Sequence, residues 1–235
     1  MAIQLFGVLG SAGVAVNGRA QFAPTSPATQ QRYDRRVTPA AVALTLAALA
    51  QAAAATTTPA PVADERPMFA VPIVHSLALM SVMRISESFL YPDPFSRTQY
   101  FGARYVEAFT KPPLFDGSRR AFEWDGDPWT INVIGHGLFG SELYLRARIC
   151  HLHWYGSLAF AAAASALWDY GFEANGVRPS ALDLVFTPLA GMALGEGRYV
   201  VWRAATGVQS AALRQVIRAA VDPFGEVERA FGAGC

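Results

Sequence analysis

Apolar and polar positions divide the chain into a lead, a short helical stretch and a long C-terminal block. Residues 1–65 are rich in Ala, Thr and Pro. Arg32, Arg35 and Arg36 precede an apolar run from Ala40 to Ala50, and Ala50-Gln51-Ala52 supplies a small-residue exit. A positive stretch, a short apolar run and an A-x-A site make a secretory signal. The run is too short to cross a bilayer, which takes roughly 20 residues. The pattern begins well after Met1, as expected of an unusually long lead or a start assigned too far upstream. Thr56-Thr57-Thr58-Pro59-Ala60-Pro61 predicts an extended linker.

Pro67 to Met83 is apolar with few breaks, and Pro72 suits the first turn of a helix. Tyr91-Pro92-Asp93-Pro94-Phe95 predicts a loop, and Gln99–Phe109 a short helix ended by Lys111-Pro112-Pro113. In the long block, Asp127-Pro128 offers an N-cap and first-turn pair for a helix from about Trp129 to Ile149. After a turn at His151–Trp154, a second helix runs from about Tyr155 to Phe172, until Asn175-Gly176 breaks it. Pro179-Ser180-Ala181-Leu182-Asp183 resembles a capping box and opens a third helix reaching Val201, which Pro188 should kink or split. An amphipathic helix over Ala211–Ala220 precedes Asp222-Pro223-Phe224.

The second helix is apolar all round, which places it at the centre of a bundle or in lipid. Small residues recur where helices can approach closely: Gly135, Gly137 and Gly140, then Ala161–Ala164, then Gly191 and Gly195. The expected fold is therefore all-α: a compact bundle of apolar helices, membrane-associated or partly membrane-embedded. It follows an export signal and linker over 1–65, with N-terminal helices over 66–120 and the core over 121–235. Composition narrows the function. Of 235 residues, 52% are hydrophobic and 16% charged, which excludes a disordered chain. Nineteen basic against 18 acidic residues leave no field for nucleic acid. Two cysteines exclude a disulfide scaffold and a Cys-based zinc cluster; neither follows the apolar run, which disfavours a lipid anchor there. Cys150 and Cys235 can pair after export, but their spacing alone decides nothing.

The block's polar residues form an ordered series. It begins with Phe122-Glu123-Trp124-Asp125-x-Asp127 and Asn132-x-x-x-His136-x-x-x-Gly140-Ser141. Arg148, Ser157, Ser165-x-x-Trp168-Asp169-Tyr170-x-x-Glu173 and Pro179-Ser180-x-x-Asp183 follow, and Thr187-Pro188-x-x-Gly191-x-x-x-Gly195-Glu196 closes it. In order and spacing this resembles the bacterial DUF3943 family over roughly Phe122 to Arg203, and more distantly small envelope lipoproteins. The resemblance implies an exported protein of the periplasm or outer membrane, and no reaction. The chain departs from the family at His136-Gly137 (usually His-Pro), Trp168-Asp169 (usually Trp-Glu) and Leu182-Asp183 (usually Asn-Asp). The acid and base types survive, but the reach at Asp169 is shortened.

One imidazole and four carboxylates on three greasy helices define the candidate chemistry. His136, Asp169, Glu173 and Glu196 are the candidate catalytic residues, with Asn132, Arg148 and Asp183 as candidate ligand-binding residues. Asp169 and Glu173 share a helix face and repel, so a proton, a cation or Arg148 should lie between them. The set suits His136 as a general base oriented by a carboxylate, or a divalent metal of undetermined identity. An apolar groove with a few polar groups suits a lipid or lipid-linked ligand. The competing reading is structural: Asp127 as an N-cap, Asp183 as the acid of the Ser180 box, Glu173 paired with Arg178, Glu142 on the surface, and Glu196 paired with Arg148 or Arg198. In that case the protein is a non-catalytic envelope scaffold or assembly factor.

Overall fold

The computed structural model describes residues 66–235, and among them the chain is helical with no strand. The export-signal and linker reading of 1–65 lies outside the described residues. Helix α1 spans Ala70–Leu90 and α2 spans Phe101–Thr110. A six-residue π-helical turn, Thr130–Gly135, runs directly into α3, His136–Ile149. Helix α4, Trp154–Leu167, runs directly into a second π turn, Trp168–Glu173. Then come α5 (Ala181–Ala204), α6 (Ala211–Val221) and α7 (Pro223–Ala230).

Several expectations need correction. Pro92–Phe95 is a closed turn within the expected loop, with Asp93 extended and the Ser96 N–H donating to Pro92 O at 2.8 Å. Asp127 caps nothing: the rod after it begins without a side-chain cap, and Pro128 O accepts the first bonds, from Ile131 and Asn132. Pro188 does not split α5, which stays continuous over 24 residues. The α5 cap is as expected, with Ser180 Oγ accepting from the Asp183 backbone N–H at 3.2 Å. Asp222 caps α7, a helix the sequence pattern did not reveal.

Helix α3 is the axis of the bundle, with nearly every residue from His136 to Ile149 buried. It packs side by side and parallel with α5, through positions four apart on each. His136 meets Thr187, Gly140 meets Thr187 and Gly191, Tyr144 meets Gly195, and Arg148 lies over the Tyr199 ring. Residues four apart stack along one helix face, so two such rows can lie against each other over several turns. The glycines are what let the backbones touch. A Cβ on Gly140 would strike the Thr187 carbonyl, and one on Gly191 would strike the Gly140 backbone. Helix α4 returns antiparallel with its own row: Ser157, Ala161, Ser165 and Asp169, all buried. Met80 of α1 closes the apolar core against Phe139, Leu143, Tyr144 and Trp168.

At the C-terminal half of α3 an ionic network joins four helices. Arg146, with no exposed side-chain surface, pairs with Asp222 at 2.8 Å, Glu142 at 3.3 Å and Glu228 at 3.3 Å. Arg198 binds the other Glu142 oxygen at 2.6 Å, and His75 of α1 reaches Glu142 and Glu228. Glu142 is thus buried and paired, contrary to its expected surface place. A Cys150–Cys235 disulfide, with Cα atoms 5.2 Å apart, closes this end.

Candidate functional site

The up-down-up course of α3, α4 and α5 brings the start of α3, the end of α4 and the start of α5 to one end of the bundle. Five of the seven candidates belong to that end: Asn132, His136, Asp169, Glu173 and Asp183. Both π turns lie here, one carrying Asn132 and the other Asp169 and Glu173. Such turns are rare and recur at functional sites.

His136 is held from two sides. Its Nδ1 lies 3.0 Å from Thr187 Oγ1, and its Nε2 lies 3.5 Å from Asp183 Oδ2. Asp125, in the loop before the first π turn, organises the rest. Its Oδ1 accepts from Asn132 Nδ2 at 2.8 Å and from the Asp127 N–H at 3.1 Å, while its Oδ2 accepts from Ser180 Oγ at 2.6 Å. Backbone bonds between Leu114 and both Pro179 and Ala181 fasten the same loop to the start of α5. Asp127 lies at the edge; cover over its carboxyl and the Asp125 charge both push its pKa up.

A cavity of about 60 Å³ lies among Asp125, Asp127, Glu173, Arg178, Ser180 and Asp183. A water occupies about 30 Å³ in the liquid, so the cavity admits a small polar group and no acyl chain. Several buried acceptors around this end are unsatisfied: Asp183 Oδ1, Asn132 Oδ1 and both Asp169 oxygens have no hydrogen-bond partner. The Ser180 backbone N–H faces Asp169 outside normal bond geometry. Buried polar atoms are normally paired, so a cluster of unpaired acceptors marks a place that can take a donor. Among the described residues no three His, Cys, Asp or Glu side chains are placed to hold a metal ion.

Arg148 and Glu196 are not part of this cluster. Arg148 lies 12 positions after His136, about 18 Å along the axis at 1.5 Å per residue. It makes a two-pronged pair with Glu196, at 2.8 and 3.0 Å, and Tyr144 OH donates to the same carboxylate at 2.7 Å. Each Glu196 oxygen is engaged, and the pair is partly solvated, so it contributes about 1 kcal/mol or less. Arg148 therefore does not separate Asp169 from Glu173. Glu173 does not pair with Arg178, whose Nη1 lies 3.6 Å from Glu107. The sequence reading missed Asp125, Thr187 and Ser180 as members of the site. Asp125 and Thr187 stand inside the quoted motif, but their neighbours offered simpler capping and turn roles.

Residues 121–224 match the family model of DUF3943, a domain of unknown function. No curated protein and no solved structure gave a significant match. The DUF3943-like segment contains all five clustered candidates together with Asp125, Ser180 and Thr187. Helix α1 lies outside it.

Proposed function

We propose that this is an exported envelope protein whose DUF3943-like bundle takes the polar end of a lipid or lipid-linked molecule into the His136–carboxylate cluster. The observation carrying this reading is the cavity with the unpaired Asp183 oxygen. The loop that supplies Asp125 and Asp127 also displays exposed Phe115, Phe122 and Trp129. An amphipathic molecule meets both surfaces: its head in a carboxylate-lined recess, its apolar part on the aromatic residues. Four carboxylates disfavour a phosphate and favour an ammonium or hydroxyl donor. Export is supported by the Cys150–Cys235 bond, since disulfides persist in oxidising compartments. In a catalytic form of this reading His136 is the base and Asp183 orients it.

The test is the melting temperature of detergent-solubilised protein with added phosphatidylethanolamine or phosphatidylcholine. Phosphatidylethanolamine should raise it by several degrees over phosphatidylcholine, and Asp183→Asn and His136→Gln should abolish the difference. Equal responses to the two lipids, or an unchanged difference in both variants, would sink the reading. The alternative is a non-catalytic scaffold with a structural polar cluster, favoured by the many helices that the Arg146 network ties together. It expects both variants to lose stability equally with either lipid.

A further inference from the structure

We infer that the bundle spans a lipid bilayer, through four rods with their polar groups turned inward. The inference rests on the membrane part of the proposed function and not on its ligand part. Length is the first observation. Helix α1 has 21 residues and α5 has 24; α3 and α4, each of 14, are extended by six-residue π turns. At 1.5 Å per residue each rod is about 30 Å or slightly longer, the thickness of a bilayer's hydrocarbon layer. By length and composition α1 alone qualifies as a span among the described residues: α3 and α4 have 14 residues each without their π turns, and α5 and the second turn carry ionisable groups. Where those groups point is the second observation.

No charged residue on the four rods is exposed as a whole, and the Glu196 side chain, 37% open, is held in its two-pronged pair with Arg148. Asp169, Glu142 and Arg146 are enclosed, and Arg84, Glu87, Glu196 and Arg198 are at least half-covered. Apart from Arg66, the exposed charged residues of the described chain lie between Asp93 and Asp127, in the segment linking α1 to α3. The outward faces are the reverse. Helix α1 displays Ile73, Val74, Leu77, Val82, Ile85 and Phe89. Helix α5 displays Val185, Leu189, Leu194 and Val201, and the outer face of α4 is mostly alanine with Leu167. A bundle in water keeps its charges outside and its large apolar groups within; this one is inverted, as lipid requires. The third observation is aromatic placement. Trp129 precedes the α3 rod and Trp154 and Tyr155 open α4 at the opposite end, all exposed, as at the two interfaces of a membrane. The occupant of the outer faces is thus bilayer hydrocarbon. The acid cluster sits near one interface, and the disulfide end near the other, on the oxidising side.

The test is carbonate extraction of membranes from cells producing the full chain, with Val82→Lys and Leu189→Lys as variants. Both positions are mid-rod and exposed, at 54% and 50%. Lysine at mid-depth opposes insertion strongly, so the integrated fraction should fall about tenfold or more. Leu189→Phe and Ser118→Lys, the latter in the exposed loop, should behave as wild type. For a bundle in water the same surface lysines leave folding nearly unchanged and improve solubility. Wild-type chain released by carbonate, or lysine variants that insert like wild type, would overturn the inference. No site residue is altered, so this result is independent of the lipid-headgroup test.

Discussion

Replacing Arg146 with alanine is expected to destabilise the protein by about 3–5 kcal/mol, read as a collapse of its melting temperature in detergent. The guanidinium has no exposed side-chain surface and faces Asp222, Glu142 and Glu228. Removing it leaves Asp222, itself fully enclosed, without a partner on that side, and the charge has no route to water. Asp222 also caps α7 and binds Arg229, so the loss spreads into the C-terminal helices. Arg146→Met combined with Asp222→Asn should recover most of the loss, because the cost is an unmatched charge rather than a missing contact. Should Arg146→Ala melt like wild type, the network is not what fixes α7 to α3.

Gly191→Val is expected to cost about 3 kcal/mol, towards the upper end for overpacking, since the obstacle is backbone rather than a movable side chain. Its Cβ would meet the carbonyl and Cα of Gly140, so α3 and α5 must move apart. That displacement acts on His136 and Thr187 one turn away, so lipid-headgroup discrimination should disappear with the stability. Gly137→Ala is the control. Nothing lies within 4 Å of its Cβ position, and alanine is the better helix former by up to about 1 kcal/mol. Comparing the two melting temperatures separates close approach from a general intolerance of substitution at glycine.

The helices were legible in the sequence because periodicity, capping signals and breakers survive without tertiary context. Ser180 and Asp183 mark the start of α5, and Asn175-Gly176 marks the break before it. Two features were not legible. The π turns leave the apolar pattern almost unchanged, so Thr130–Gly135 and Trp168–Glu173 read as ordinary helix. Partners far apart in sequence were equally hidden. Glu142 looked like a surface acid because His75, Arg198 and Arg146 converge on it only after folding. The grouping of Asn132, His136, Asp169, Glu173 and Asp183 followed from three rods alternating in direction. Arg148 and Glu196 lie towards the other end because they stand between three and four turns further along their helices than His136 and Asp183.

The direct measurement is carboxylate labelling of the folded protein in mild detergent by a water-soluble carbodiimide with an amine, located by mass spectrometry. Asp169, Asp183 and Asp222 are 1%, 3% and 0% exposed, whereas Asp93 and Asp116 face solvent. Asp93 and Asp116 should label rapidly, with the other three protected until the protein unfolds. Labelling of Asp169 and Asp183 at the rate of Asp116 in the native state would contradict that protection.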